Sequence, residues 1–185
     1  MDTLTGKILI AMPGMGDPRF EHSVVVMCAH SDEGAMGLIV NKPADDISLG
    51  ELLKQLSIAT RGPASGGKVH FGGPVEHGRG FVLHSPDYDG NSSTLHVSDD
   101  FGMTATLDVL EDIASGKGPK RAILALGYAG WGPGQLEDEI AGNGWLTADA
   151  DAAIVFSDTD TDKWSRALNG LGIDPLTLSA AAGRA

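Results

Sequence analysis

The chain has 185 residues, 42% of them hydrophobic, and 13 basic against 25 acidic residues leave a formal charge of -12 at pH 7. That length and apolar content suit one globular domain with a real core, not a disordered chain. The acidic surface repels phosphate backbones and anionic lipids, which argues against direct nucleic-acid binding and against membrane association.

A single cysteine, Cys28, leaves no internal disulfide and fits a reducing compartment. The opening MDTLTGKILIAMPGMG has a short apolar run cut by Pro13, too short for a signal peptide or a span, so a cytosolic protein is expected. Residues 7–12 (KILIAM) predict a buried strand. Asp17-Pro18 suits the start of one helical turn, with proline at its first position. Residues 23–30 (SVVVMCAH) are β-branched and apolar, a strand; SDEG turns the chain, and 35–41 (AMGLIVN) runs back until Pro43, giving an antiparallel hairpin.

Residues 48–56 (SLGELLKQL) predict the clearest helix. Ser48 and Glu51 stand at capping-box spacing, and Leu49, Leu52, Leu53 and Leu56 form one apolar face. Three short strands are expected at 69–71, 80–84 and 94–97, then a helix at 106–115 stopped by Gly116. Residues 121–126 (RAILAL) predict a buried strand feeding a glycine loop, GYAGWGPG (127–134), and a short helix from Pro133 to about Ala141. Apolar segments at 145–147 and 152–156 carry no clear periodicity, 160–168 is an amphipathic helix, and 179–185 is expected to fray. The pattern defines a mixed α/β (α+β) fold over residues 1–185: one compact domain with a mixed, largely antiparallel sheet and several short helices.

GPASGGKV (62–69) has phosphate-loop spacing but places Val69 where a hydroxyl should bind Mg²⁺, and strand-like sequence follows instead of a helix. A flexible connection is the better reading. The four glycines around Trp131 mark unusual backbone or a close approach, and the acids Glu137, Asp138 and Glu139 that follow would repel a phosphate. Cys28 and His30 share a strand face, yet a cysteine in an apolar strand is ordinarily buried and inert. His70, His77 and His84 recur every seven residues beside Glu76, a spacing that does not converge on one tetrahedron, so no metal and no cofactor is assigned. G-x-S-x-G and H-E-x-x-H are both absent. Arg79, in GPVEHGRGF, suits an anion clamp or an ion pair with a nearby acid.

Four stretches in order, GKILIAMPGMGDPRFEHSVVVMCAH (6–30), GAMGLIVNKP (34–43), FGGPVEHGRGFVLHS (71–85) and GYAGWGPGQLEDEIAGNGWL (127–146), resemble the YqgE/AlgH family, small bacterial proteins without an established biochemical activity. The resemblance implies a compact α/β domain in the cytosol, and the family name points to regulation of alginate production. Because the chain is acidic and shows no basic recognition helix, such regulation is expected to be indirect. Polar residues within the matching motifs, Asp17, His30, Asn41, Arg79, His84, Gln135 and Glu137, together with Trp131, are the candidates for a ligand-binding surface. No catalytic role transfers to any of them. The preferred expectation is a non-enzymatic protein that binds a small molecule or a protein partner in a cleft between 127–135 and 71–80. The alternative is an enzyme with His30 or His84 as base and Arg79 as anion clamp.

Overall fold

Residues 8–11 and 24–28 are apolar at every position because the strands they form are covered on both faces. Side chains alternate across a strand, so Ile8, Ile10, Val24, Val26 and Cys28 enter one layer with Leu83, Phe101, Trp164 and Leu168. Leu9, Ala11, Val25 and Met27 enter the opposite layer with Trp131, Leu136 and Trp145. A third layer joins Leu49 and Leu53 to Val69, Val82, Leu124, Val109 and Leu110. The computed structural model describes residues 3–13, 17–59, 68–89, 93–105, 107–157 and 159–174. The phosphate-loop-like residues 62–67 and the terminal 179–185 lie outside them.

The elements run β1 (Lys7–Ala11), β2 (Val24–Ser31), β3 (Gly34–Ile39), β4 (Pro43–Ser48), α1 (Leu49–Gln55), β5 (Lys68–Phe71), β6 (Val75–His84), β7 (Thr94–Ser98) and β8 (Phe101–Thr104). There follow α2 (Leu107–Ala114), β9 (Ala122–Trp131), α3 (Gln135–Ala141), β10 (Trp145–Asp149), α4 (Ala152–Val155) and α5 (Asp160–Gly170). The strand order is β10-β1-β2-β3-β9-β6-β8-β7, with β5 pairing beside β9 and β4 beyond it on β5. All pairings are antiparallel except β5 with β9, so the fold is α+β with a mixed, largely antiparallel sheet.

Strand β9 joins the two halves. Its first part lies between β5 and β6, and its last three residues pair with β3. The expected glycine loop is therefore strand as far as Trp131, and its close approach is to the chain's own backbone. A Cβ on Gly73 would lie 2.0 Å from the Tyr128 carbonyl carbon, and one on Gly127 would lie 2.4 Å from the Gly73 oxygen. Only glycine permits that crossing, and both residues take positive φ, 155° and 77°.

Further expectations change. Strand β3 ends at Ile39, before Asn41, and Pro43 opens β4 at its first strand position, where its missing N–H costs no ladder bond. Leu56 does not face the core: α1 ends at Gln55, and Leu56 is 39% exposed while Leu53 is fully buried. The turn expected at Asp17 forms but does not extend into a helix: its carboxylate accepts the Arg19 N–H at 3.0 Å, and the Phe20 N–H donates to the Asp17 carbonyl. No helix among the described residues is long and apolar enough to cross a membrane.

Candidate functional site

The β2–β3 hairpin projects past the start of β1, and β6 and β9 diverge where β6 bulges between Val75 and Gly80. Between them opens a cleft of about 830 Å³, bordered by β2, β3, β6, β7 and β9. This volume lies within the usual range for ligand sites. Arg79 and Trp131, far apart in sequence, both line it, as do His30, Glu76, Phe81 and Tyr128. The Arg79 guanidinium sits 5.0 Å from the Phe81 ring centroid and 3.6 Å from the Glu76 carboxylate, with both charged side chains more than half exposed. Glu76 itself has φ 50°, a left-handed conformation at the rim that a residue with a Cβ seldom adopts.

His30 is held at both nitrogens. Its Nδ1 accepts the Leu4 N–H at 3.0 Å, so the proton resides on Nε2, which donates to Glu137 Oε1 at 2.5 Å. That hydrogen bond is the main reason the Glu137 carboxyl lies below its ordinary range. His84 is fully buried. Its ring bonds the Ser85 carbonyl through Nδ1 and the Thr104 hydroxyl through Nε2, each at 2.8 Å, and burial lowers its pKa. A carbonyl only accepts, so Nδ1 carries the proton and Nε2 accepts from Thr104. His84 does not border the cleft.

The other candidates divide. Asp17 pairs with Arg19 at 2.7 Å, and the Arg19 side-chain hydrogen bond lowers its pKa. Asp17 and Gln135 border a second cavity of about 520 Å³ on the other side of Trp131, not the main cleft. Asn41 ties β3 to the turn before β2, accepting the Val24 N–H at 2.9 Å and donating to the His22 carbonyl at 2.8 Å. It touches neither cavity. The site residues named from sequence thus fall into a cleft group (His30, Arg79, Trp131, with Glu137 behind His30), a neighbouring group (Asp17, Gln135) and two framework residues (Asn41, His84).

Glu139, one of the three acids after the glycine stretch, organises the wall between the two cavities. Its Oε1 accepts the indole N–H groups of Trp131 at 3.1 Å and Trp145 at 3.0 Å, and its Oε2 accepts from Gln135 at 2.9 Å. Phe20 packs against both indoles. The i,i+4 spacing of Gln135 and Glu139 was the available signal.

A buried ionic cluster also escaped the sequence reading. His70 Nε2 lies 3.0 and 3.1 Å from the two Asp160 oxygens, and Lys163 Nζ lies 2.8 Å from Asp160 Oδ1 and 2.8 Å from the Val40 carbonyl. All three side chains are buried. Burial alone would raise the Asp160 carboxyl, but the bonds from His70 and Lys163 outweigh it and hold the pKa down at about 2. Among the described residues, no group of three His, Cys, Asp or Glu side chains is arranged to hold a metal ion.

These features define an α+β protein with a largely antiparallel, curled sheet and an open cleft at one end of its central strands. The chain belongs to the AlgH-like family, whose model matches residues 8–176. It is 64% identical over 183 residues to a UPF0301 protein of Ruegeria pomeroyi, covering 98% of this chain and 99% of that one. It is 58% identical over 182 residues to a UPF0301 protein of Cereibacter sphaeroides, with the same coverage. Among solved structures it resembles the solution structure of the AlgH protein from Pseudomonas aeruginosa, at 40% identity, TM-score 0.79 and 97% of each chain. A crystal structure of a Corynebacterium diphtheriae protein shares the fold at 20% identity and TM-score 0.75, covering 97% of this chain and 92% of that one.

Proposed function

We propose that this is a non-enzymatic binding or regulatory protein of the cytoplasm that holds a small molecule or a partner segment in the cleft beside Arg79 and Trp131. The observation that carries this reading is the meeting of an arginine, three aromatic residues and a strained rim residue at one cavity of about 830 Å³. Arginine offers a fork of donors and the aromatic residues an apolar wall, a combination that binds without requiring a reaction. The alternative of an enzyme using His30 or His84 as base finds less support. Both ring nitrogens of each histidine are already engaged, and His84 lies away from the cleft. With a charge of -12, any influence on transcription would be exerted through a partner rather than by contact with DNA.

The test is a small-fragment screen on the ¹⁵N-labelled chain, followed by amide and indole shifts. Fragments should move the Trp131 indole resonance together with residues 28–31 and 95–96, and Arg79→Ala should weaken those that carry a carboxylate. Shifts confined to other surfaces, or none from any fragment, would reject the cleft as a binding site.

A further inference from the structure

We infer that the cleft takes an extended, basic segment of a partner protein as an added strand between the open edges of β2 and β7. This rests on the cleft reading above and specifies its occupant. The sheet path ends at β7, and among the described residues no strand pairs with its outer edge. Along that strand Leu95 is 44% exposed, and Leu95 and His96 both line the cleft. Across from it, β2 is paired with β1 only over Val24, Val25 and Val26. The Gly6 N–H still donates to the Met27 carbonyl at 2.8 Å, and the Thr3 hydroxyl reaches the His30 carbonyl at 3.3 Å, but residues 28–31 run past the start of β1.

The two edges meet at one end and part at the other. At Gly6 there is no room between them: a Cβ there would lie 2.8 Å from the Ser98 Cβ. Farther along, Cys28, Ala29, His30 and Ser31 on one side and Leu95 and His96 on the other border the open cleft. An unprotected edge is a template for another strand, and β7, TLHVS, carries neither lysine nor proline to blunt it. Main-chain bonds to an entering strand supply affinity, while alternate side chains meet the wall of the cleft.

Charge selects the kind of segment. Glu33 and Glu76 stand on the lining against the single guanidinium of Arg79, which Glu76 already attends at 3.6 Å. Glu137 lies behind His30, and the whole chain carries -12. Lysine or arginine side chains that reach Glu33 and Glu76 complement that field, and acidic ones placed there, away from Arg79, are repelled.

The experiment titrates the ¹⁵N-labelled full chain with an acetylated, amidated six-residue peptide alternating valine and lysine. Two analogues accompany it: one with every second backbone nitrogen methylated, and one with glutamate for lysine. The lysine peptide should shift residues 28–31 and 94–96 and slow amide exchange along β7. The methylated peptide should bind about tenfold more weakly, since it loses the donors of one edge. The glutamate peptide should bind more weakly still, and Glu33→Lys should weaken the lysine peptide about tenfold without moving the melting temperature. Equal binding of the methylated peptide, preference for the glutamate peptide, or shifts outside these strands would overturn strand addition. If fragments bind beside Trp131 but the lysine peptide does not, the strand inference fails and the cleft reading stands. If neither binds, both fail.

Discussion

His70 and Asp160 stand 90 residues apart in the chain, yet the imidazole Nε2 lies within 3.1 Å of both carboxylate oxygens, in the core between β5 and α5. With Lys163 on the next turn of α5, the pair anchors that helix to the sheet, and the Trp164 indole adds a bond to the Ala11 carbonyl at 2.8 Å.

The cluster makes stability sensitive to acid. Asp160 has a folded pKa of about 2 against an ordinary 3.8, so its contribution is complete above the unfolded value and is lost as pH falls through the folded one. Roughly 2 kcal/mol should disappear between about pH 4 and pH 2. Denaturant unfolding of the wild-type and Asp160→Asn chains across that range should give stability curves that converge as pH falls. Parallel curves would show that Asp160 is not held ionised in the folded protein.

Removing the cation should cost more than a surface pair would. Lys163 is 1% exposed, so Lys163→Met leaves a buried carboxylate with His70 as its main support. A loss of roughly 3–5 kcal/mol is expected at neutral pH. Lys7→Met, which breaks the exposed pair with Asp149 at 2.6 Å, should change stability by less than about 1 kcal/mol. Equal midpoint shifts for the two variants would contradict the burial argument.

The contrast between these lysines shows where sequence reading stops. The β2–β3 hairpin was legible because Val24, Val25 and Val26 are β-branched and SDEG is turn chemistry, both local signals. The α1 helix was legible from its Ser48 cap. Lys163 lies in a helix with an evident polar side, and nothing nearby in the chain says that this polar position faces the core. Only the distant His70 does. Strand β8 is four residues long and includes a glycine, too little to stand out from its turn-rich surroundings. At the site, the glycine-rich stretches around Arg79 and Trp131 stood out but read as turns, where β6 and β9 run as strand, and the double indole contact of Glu139 depends on β10 returning beside β1.

Helix α1 gives a graded test of its own register. Leu53 is fully buried in the core, whereas Leu56 is exposed and does not face it. Leu53→Ala should cost roughly 2–5 kcal/mol and Leu56→Ala much less. Ser48 accepts the Glu51 N–H at 3.2 Å, so Ser48→Ala should cost about 1 kcal/mol. Chemical denaturation of the three variants checks the order; a Leu56 effect equal to that of Leu53 would mean the helix face is wrongly placed.

Cys28 should label slowly. It borders the cleft but is only 2% exposed, and burial pushes its thiol up to about 12. At neutral pH almost no thiolate is present to react. A thiol reagent should modify the native chain far more slowly than the urea-unfolded chain, and comparable rates would show that the strand opens readily.

Glu139 supplies the most discriminating test of the wall between the two cavities. Its Oε1 accepts from Trp131 and Trp145, both buried, so Glu139→Ala would leave two indole donors without their partner and remove the Gln135 contact as well. Stranded buried donors carry their full desolvation penalty, and a loss of roughly 2–4 kcal/mol is expected. Glu139→Gln keeps an acceptor oxygen where the indoles point and should cost about 1 kcal/mol or less. Tryptophan emission reads the same event spectroscopically. Of the three tryptophans, Trp164 bonds to the Ala11 carbonyl elsewhere in the core and serves as an internal constant. Glu139→Ala should therefore shift only part of the emission, and Glu139→Gln should leave most of it in place. If both variants unfold at the wild-type midpoint with unchanged emission, the indoles do not depend on this carboxylate, and the wall of the cleft is held by apolar packing alone.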